Sequence, residues 1–189
     1  MAAGTTPSQT VGPFFSIGLA WMNRSDLTNG SKSGERFTIR GRVLDAENQP
    51  VPDALLEIWQ ADANGYYPRA EDAGNRRPAS EFFGFGRVQT NDLGEFTFTT
   101  LKPGSALDLQ GKPQAPHLAV SVFMRGLLQR LVTRIYFPGE PANATDGVLG
   151  LVPSGRRGTL IAQQDEQDRT SLLWDVRLQG DRETVFFDC

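Results

Sequence analysis

Cysteine and histidine are almost missing from this 189-residue chain, which has one of each, Cys189 and His117. A lone cysteine at the last position excludes an intrachain disulfide and a cysteine-built metal cluster, and it suits a reducing compartment. A lone histidine excludes any site that needs two imidazoles from this chain alone. It also leaves one possible location for Ser-His-Asp chemistry. A basic surplus is lacking as well. The formal charge is -3, so nothing is left over to neutralise a phosphate backbone. Lysines and arginines stand singly or in pairs, and no polybasic patch points to a membrane. The apolar run Phe14 to Met22 is broken by Ser16 and Gly18 and has no basic leader. It is too short to cross a bilayer and does not read as a secretion signal. The expected location is the cytoplasm.

Helical periodicity is scarce too. No stretch of ten or more residues carries it, although Thr145 to Leu151 suits a short turn of helix. Strand patterns take its place. Phe37, Ile39 and Val43 fall on one face of a two-residue alternation, with Gly41 between the last two, and Phe96 and Phe98 alternate likewise within Gly94–Thr100; both read as half-buried strands. Ala54 to Gln60, Leu118 to Phe123 and Leu131 to Phe137 are further strand candidates. Leu172, Trp174, Val176 and Leu178 would share one face of another. Leu118 to Phe123, apolar on both faces, predicts a central strand covered on both sides. Asn48–Asp53, Asn91–Gly94, Lys102–Gly104 and Arg125–Gly126 supply turns. Residues 61–85 are rich in Asp, Asn, Gly, Arg and Pro and predict a long functional loop. Residues 1–35 have no sustained period and read as an extended N-terminal arm that needs another surface to order it. The expectation is an all-β antiparallel β-sandwich with long loops, residues 36–189, preceded by that arm.

Six ordered stretches carry a resemblance. They are Thr6-Pro-Ser-Gln-Thr-Val-Gly-Pro-Phe14, Leu56-Glu-Ile-Trp-Gln-Ala-Asp-Ala-Asn-Gly65, Leu101-Lys-Pro-Gly104, Ala115-Pro-His117, Thr133-Arg-Ile-Tyr-Phe137 and Glu183-Thr-Val-Phe-Phe-Asp188. Together they resemble the intradiol ring-cleavage dioxygenases, and the opening, the Trp-Gln-Ala-Asp run and the ending resemble the iron-free α type of chain in two-subunit members. The resemblance implies a β-sandwich and, in active chains, ferric iron (Fe3+) on two tyrosines and two histidines. Hard ferric iron favours anionic phenolate oxygen, with imidazoles completing the shell. Position by position, the first tyrosine falls on Tyr67 and the first histidine on His117. The other two positions are Ala106 and Ala119, and the arginine expected before the histidine pair is Gln114. Two of four ligands remain, and methyl groups ligate nothing.

The resemblance therefore implies a relic site here and catalytic iron on a β subunit, the expected partner in a hetero-oligomer. It also implies that the arm, through Thr10, Gly12 and Pro13, helps close the partner's pocket. Arg125 would meet the carboxylate of a small aromatic substrate there, with O2 as co-substrate. Arg130 and Arg134 receive no role. The competing reading is a stand-alone β-sandwich module that has lost its metal and carries a small ligand or scaffolds a complex. An iron-binding catechol-cleaving homodimer fails on the ligand count.

Overall fold

A computed structural model of the chain describes residues 6–31, 33–67 and 82–188. Two sheets face one another. The first has the order β3-β2-β5-β6, from Phe85–Gln89, Leu55–Trp59, His117–Phe123 and Leu131–Tyr136, every pair antiparallel. The second has the order β4-β1-β8-β7, from Glu95–Leu101, Arg36–Leu44, Ser171–Leu173 and Gln163–Gln164, with β9 (Val176–Arg177) also on β1. Alternation explains the sandwich. Leu56, Ile58, Leu118, Val120 and Val122 of the first sheet meet Phe37, Ile39, Val43, Phe96 and Phe98 of the second in one core. Among the described residues there are two short α-helices, α1 (Phe14–Ile17) and α2 (Gly147–Leu151). Asp146 caps α2 by accepting from the Val148 and Leu149 amides. Among the described residues no helix is long and apolar enough to cross a membrane.

Three expectations change. Leu172 to Leu178 is not one strand but two, β8 and β9, both parallel to β1. Leu172, Trp174 and Val176 do share the buried face. The interruption follows from a close approach at Gly41, where a methyl group would lie 1.7 Å from the Trp174 carbonyl oxygen. Only glycine lets the two backbones come that near. β5 is central in its sheet but is not covered equally on both sides: Leu118, Val120 and Val122 are buried, whereas Ala119, Ser121 and Phe123 are half-buried. β3 begins at the end of the segment expected as a loop; residues 68–81 of that segment lie outside the described residues.

The N-terminal segment divides in two. Residues 24–27 belong to the sandwich itself. Arg24 exchanges backbone hydrogen bonds with Arg87 on β3, at 2.9 and 3.0 Å, while Ser25 and Leu27 bond Thr99 on β4, at 2.7 and 2.9 Å. The segment thus laces one edge of each sheet and covers both. Leu27 is fully buried, and the space for it exists because residue 86 is glycine: a methyl there would meet the Leu27 side chain at 2.4 Å. Residues 10–23 continue over the outer face of the first sheet, where Asn23, Leu19 and Phe15 meet Arg87 on β3, Phe15 reaches Phe123 on β5, and Thr10 reaches the turn beyond it.

Candidate functional site

Tyr67 and His117 come together at one end of the first sheet. Sequence motifs far apart build that end. Asp62 Oδ1 accepts from the Asn64 and Tyr66 amides, forming a tight turn with Gly65 at φ 84°. This turn lies back to back with the Lys102–Gly104 turn, and the Gly104 amide donates to the Asp62 carbonyl at 2.9 Å. A methyl on Gly65 would meet the Ser105 carbonyl at 2.1 Å, and one on Gly104 would meet the Gly65 amide at 2.6 Å. Buried Gln60 donates to the Leu101 carbonyl at 2.9 Å and accepts from Thr100, tying β2 to β4 across the sandwich. The Trp-Gln-Ala-Asp-Ala-Asn-Gly run is therefore largely scaffold. It lays Tyr67 on Trp59, ring centroids 6.1 Å apart and nearly parallel, and within reach of His117.

Hydrogen bonding sets the protonation of the pair. His117 Nδ1 lies 2.8 Å from the Ala115 carbonyl, which can only accept, so Nδ1 carries the proton. Nε2 is then the acceptor, and the Tyr67 hydroxyl donates to it at 3.4 Å. Burial lowers the His117 pKa to about 4, helped by the Arg134 guanidinium, against the opposing pull of the Ala115 carbonyl and Asp146. Burial raises that of Tyr67, with Arg134 acting the other way. The result is a neutral phenol bonded to a neutral imidazole.

Ferric iron, the metal the resemblance implies, does not fit these groups. Ala106 is buried and Ala119 half-buried, and neither offers a donor atom. The two donors that remain are turned on each other. Arg134, to which the sequence assigns no role, adds a fixed positive charge beside them. Its guanidinium donates to Gln114 Oε1 at 2.8 Å and to the Tyr136 hydroxyl at 3.4 Å. Tyr136, also missed, donates in turn to buried Asp146 at 3.0 Å. A signal for Arg134 exists in the strand register: it sits directly opposite Ala119. A small residue there leaves room for the guanidinium, whereas two large side chains would compete for that space.

This neutral imidazole makes stability depend on pH. Below its ordinary pKa of 6.5 the unfolded chain takes up a proton that folded His117 refuses until about pH 4. Stability should therefore be intact above pH 6.5 and fall as pH drops through that window, by roughly 3 kcal/mol at 1.36 kcal/mol per unit. His117→Gln should flatten the fall. Thermal unfolding of both proteins from pH 7 to pH 4 tests this, and parallel curves would show that His117 is charged in the folded state.

The second set of candidate residues meets at the opposite end of β5, about 20 Å away at ~3.4 Å per residue. The Thr10 hydroxyl accepts from the Gly126 amide at 2.8 Å and donates to the Met124 carbonyl at 3.4 Å. The arm thus touches the turn that carries Arg125. Arg125 is 78% exposed and pairs through Nε with Asp53 at 2.8 Å. Phe15 packs on Phe123, centroids 4.8 Å apart. Pro13 opens α1 and accepts from the Ile17 amide at 2.9 Å. Gly12 is exposed, and among the described residues a methyl there would meet nothing within 4 Å, so no contact with them calls for glycine.

A family model described as Dioxygenase matches residues 11–180. The chain is similar to a protocatechuate 3,4-dioxygenase alpha chain of Pseudomonas putida, 44% identical over 197 residues covering 97% of this chain and 96% of that one. A protocatechuate 3,4-dioxygenase beta chain of Burkholderia cepacia is 37% identical over 167 residues, covering 84% of this chain and 71% of that one. Among solved structures, the dioxygenase domain of a dioxygenase carbohydrate-binding protein fusion from Streptomyces superposes with a TM-score of 0.65. It is 27% identical, with 96% of this chain and 100% of that chain covered. The sandwich, the ordered motifs and these matches agree: the chain belongs to the intradiol dioxygenase family.

Proposed function

We propose that this chain is the iron-free α subunit of a hetero-oligomeric protocatechuate 3,4-dioxygenase. The assembled enzyme would cleave 3,4-dihydroxybenzoate with O2, between the two hydroxyl-bearing carbons, to 3-carboxy-cis,cis-muconate. The ferric iron that activates the catechol would be held by the β subunit, in the cytoplasm. The observation that carries this reading is the contrast between the two ends of β5. At one end two donors are left of four, with a guanidinium beside them. At the other, arm and arginine turn are joined through Thr10. The similarity to alpha and beta chains of one named enzyme supports the same reading.

This chain's part is then to shape the partner's pocket. Thr10, Gly12 and Pro13 would form part of its wall, glycine permitting backbone approach and proline setting direction. Arg125 would offer its terminal guanidinium nitrogens to the substrate carboxylate while Asp53 holds Nε. Phe14, Ile17 and Trp21 are 82%, 71% and 79% exposed, an apolar stripe that a β subunit would cover.

Expression alone and with a β subunit, followed by sizing and iron analysis, tests the proposal. Alone, the chain should be inactive and hold no stoichiometric ferric iron. Together, the two should form a defined hetero-oligomer with a tyrosinate-to-iron absorption band. One tightly held iron per isolated chain would overturn the relic reading. A well-behaved monomer with no affinity for any β subunit would favour the stand-alone module.

A further inference from the structure

Arg87 is a charged side chain with none of its surface exposed. It stands on β3 directly opposite Glu57 of β2, on the outer face of the first sheet, where a cation would ordinarily meet water. What buries it is the N-terminal segment. Nε donates to Glu57 Oε1 at 3.3 Å. Nη1 donates to the Leu19 carbonyl at 3.1 Å and to Asn23 Oδ1 at 3.2 Å, and Nη2 donates to the Phe15 carbonyl. The guanidinium also lies 4.9 Å from the centre of the Phe15 ring. Three of its four acceptors thus belong to residues 15, 19 and 23, and the planar fork meets them from separate directions.

Besides Arg87, the segment is held on the sheet by Phe15 against Phe123, 4.8 Å between centroids, and by an exposed hydrogen bond from the Ser16 hydroxyl to Gln89 Oε1 at 2.8 Å. Its helices are four and three residues long, too short to persist alone. Its exposed side, Phe14, Ile17 and Trp21, gains nothing from the chain's own core. A buried arginine with all its nitrogens engaged is costly to leave unpaired, so segment and guanidinium stabilise one another. The backbone pairing of Arg24 with Arg87 fixes the far end of the same stretch.

We propose that Arg87 is a positioning residue for the pocket-forming arm: it sets the path of residues 15–23 across β3 and thereby delivers Thr10–Pro13 to the Arg125 turn. This rests on the reading above that the arm serves the β subunit's pocket. In the assembled enzyme, Arg87→Met should speed amide hydrogen exchange in residues 15–23 by about ten- to hundredfold while β5 stays protected. KM for 3,4-dihydroxybenzoate should rise about tenfold with kcat little changed, as when binding shared by ground and transition states is lost. Unchanged exchange in the arm overturns the proposal. Faster exchange with unchanged kinetics supports the clamp and overturns the arm's role in the pocket. Should β5 loosen as well, Asn23→Ala decides, because Asn23 is exposed and its loss spares the core. Several-fold faster exchange in the arm is then expected, and no change overturns the clamp.

Discussion

Replacing Arg125 by alanine in the assembled enzyme should lower kcat/KM for 3,4-dihydroxybenzoate by roughly ten- to hundredfold. The size follows from one lost charge-assisted contact, worth on the order of 1.5–3 kcal/mol once water is excluded, at about 1.4 kcal/mol per decade. Catechol has no carboxylate and should lose far less, so the ratio between the two substrates should shift. The pair Arg125 makes with Asp53 is solvent-exposed, and such a pair adds at most ~1 kcal/mol to folding. Iron content and oligomeric size should therefore stay as they are, and both should be measured alongside the kinetics. Equal losses on the two substrates would make Arg125 a structural residue. No loss on either would leave it a solvated turn arginine.

A larger effect on stability is expected from Asp146→Ala. The Asp146 carboxylate is buried and accepts four hydrogen bonds: from the Ala115 amide at 2.8 Å, the Tyr136 hydroxyl at 3.0 Å, and the Val148 and Leu149 amides at 3.0 and 2.7 Å. Burial alone would push its pKa up. The Leu149 and Ala115 amides and the Tyr136 hydroxyl outweigh that and hold it below the ordinary value. Alanine removes a helix cap and leaves donors at both Ala115 and Tyr136 without partners. The combined cost is on the order of 3–5 kcal/mol. At roughly 2–4 °C per kcal/mol for a chain of this size, the melting temperature should fall by about 6–20 °C. Asp146→Asn keeps one acceptor but turns an NH2 group toward the Ala115 amide, so an intermediate loss is expected. The folded pKa is depressed, so the carboxylate's contribution is present above the ordinary aspartate range and lost as pH falls through the folded value. The gap between wild type and Asn should accordingly narrow in acid. A shift under ~2 °C for alanine would mean that water replaces the carboxylate.

Most of the sandwich was legible in the sequence because a strand writes its own burial pattern. Phe37, Ile39 and Val43, or Phe96 and Phe98, alternate whatever lies across from them. Leu172 to Leu178 shows the limit. Its buried face is plain, but the break at Trp174 and the parallel pairing with β1 depend on Gly41, which is remote in sequence. β3 was lost for a related reason. Phe85-Gly-Arg-Val-Gln89 puts a glycine on its core face and a buried arginine on its outer face, so alternation gives no usable signal there.

The sequence alone determined that this chain cannot complete a two-imidazole site. That is a matter of residue identity: one histidine is present, and Ala106 and Ala119 carry methyl groups in any conformation. The family resemblance, rather than periodicity or spacing, singles out Tyr67 and His117 as one pair of candidates and Thr10, Gly12, Pro13 and Arg125 as another set. The tertiary structure decided what each group faces. It joins the Tyr67 phenol to a neutral imidazole, brings Arg134 from β6 to Gln114, and folds the N-terminal segment over Arg87. Those outcomes depend on partners 50, 20 and 72 positions apart in the chain. Local periodicity reports which way a side chain points. Its charge state and its partner are set by the water that remote segments exclude and the hydrogen bonds they supply.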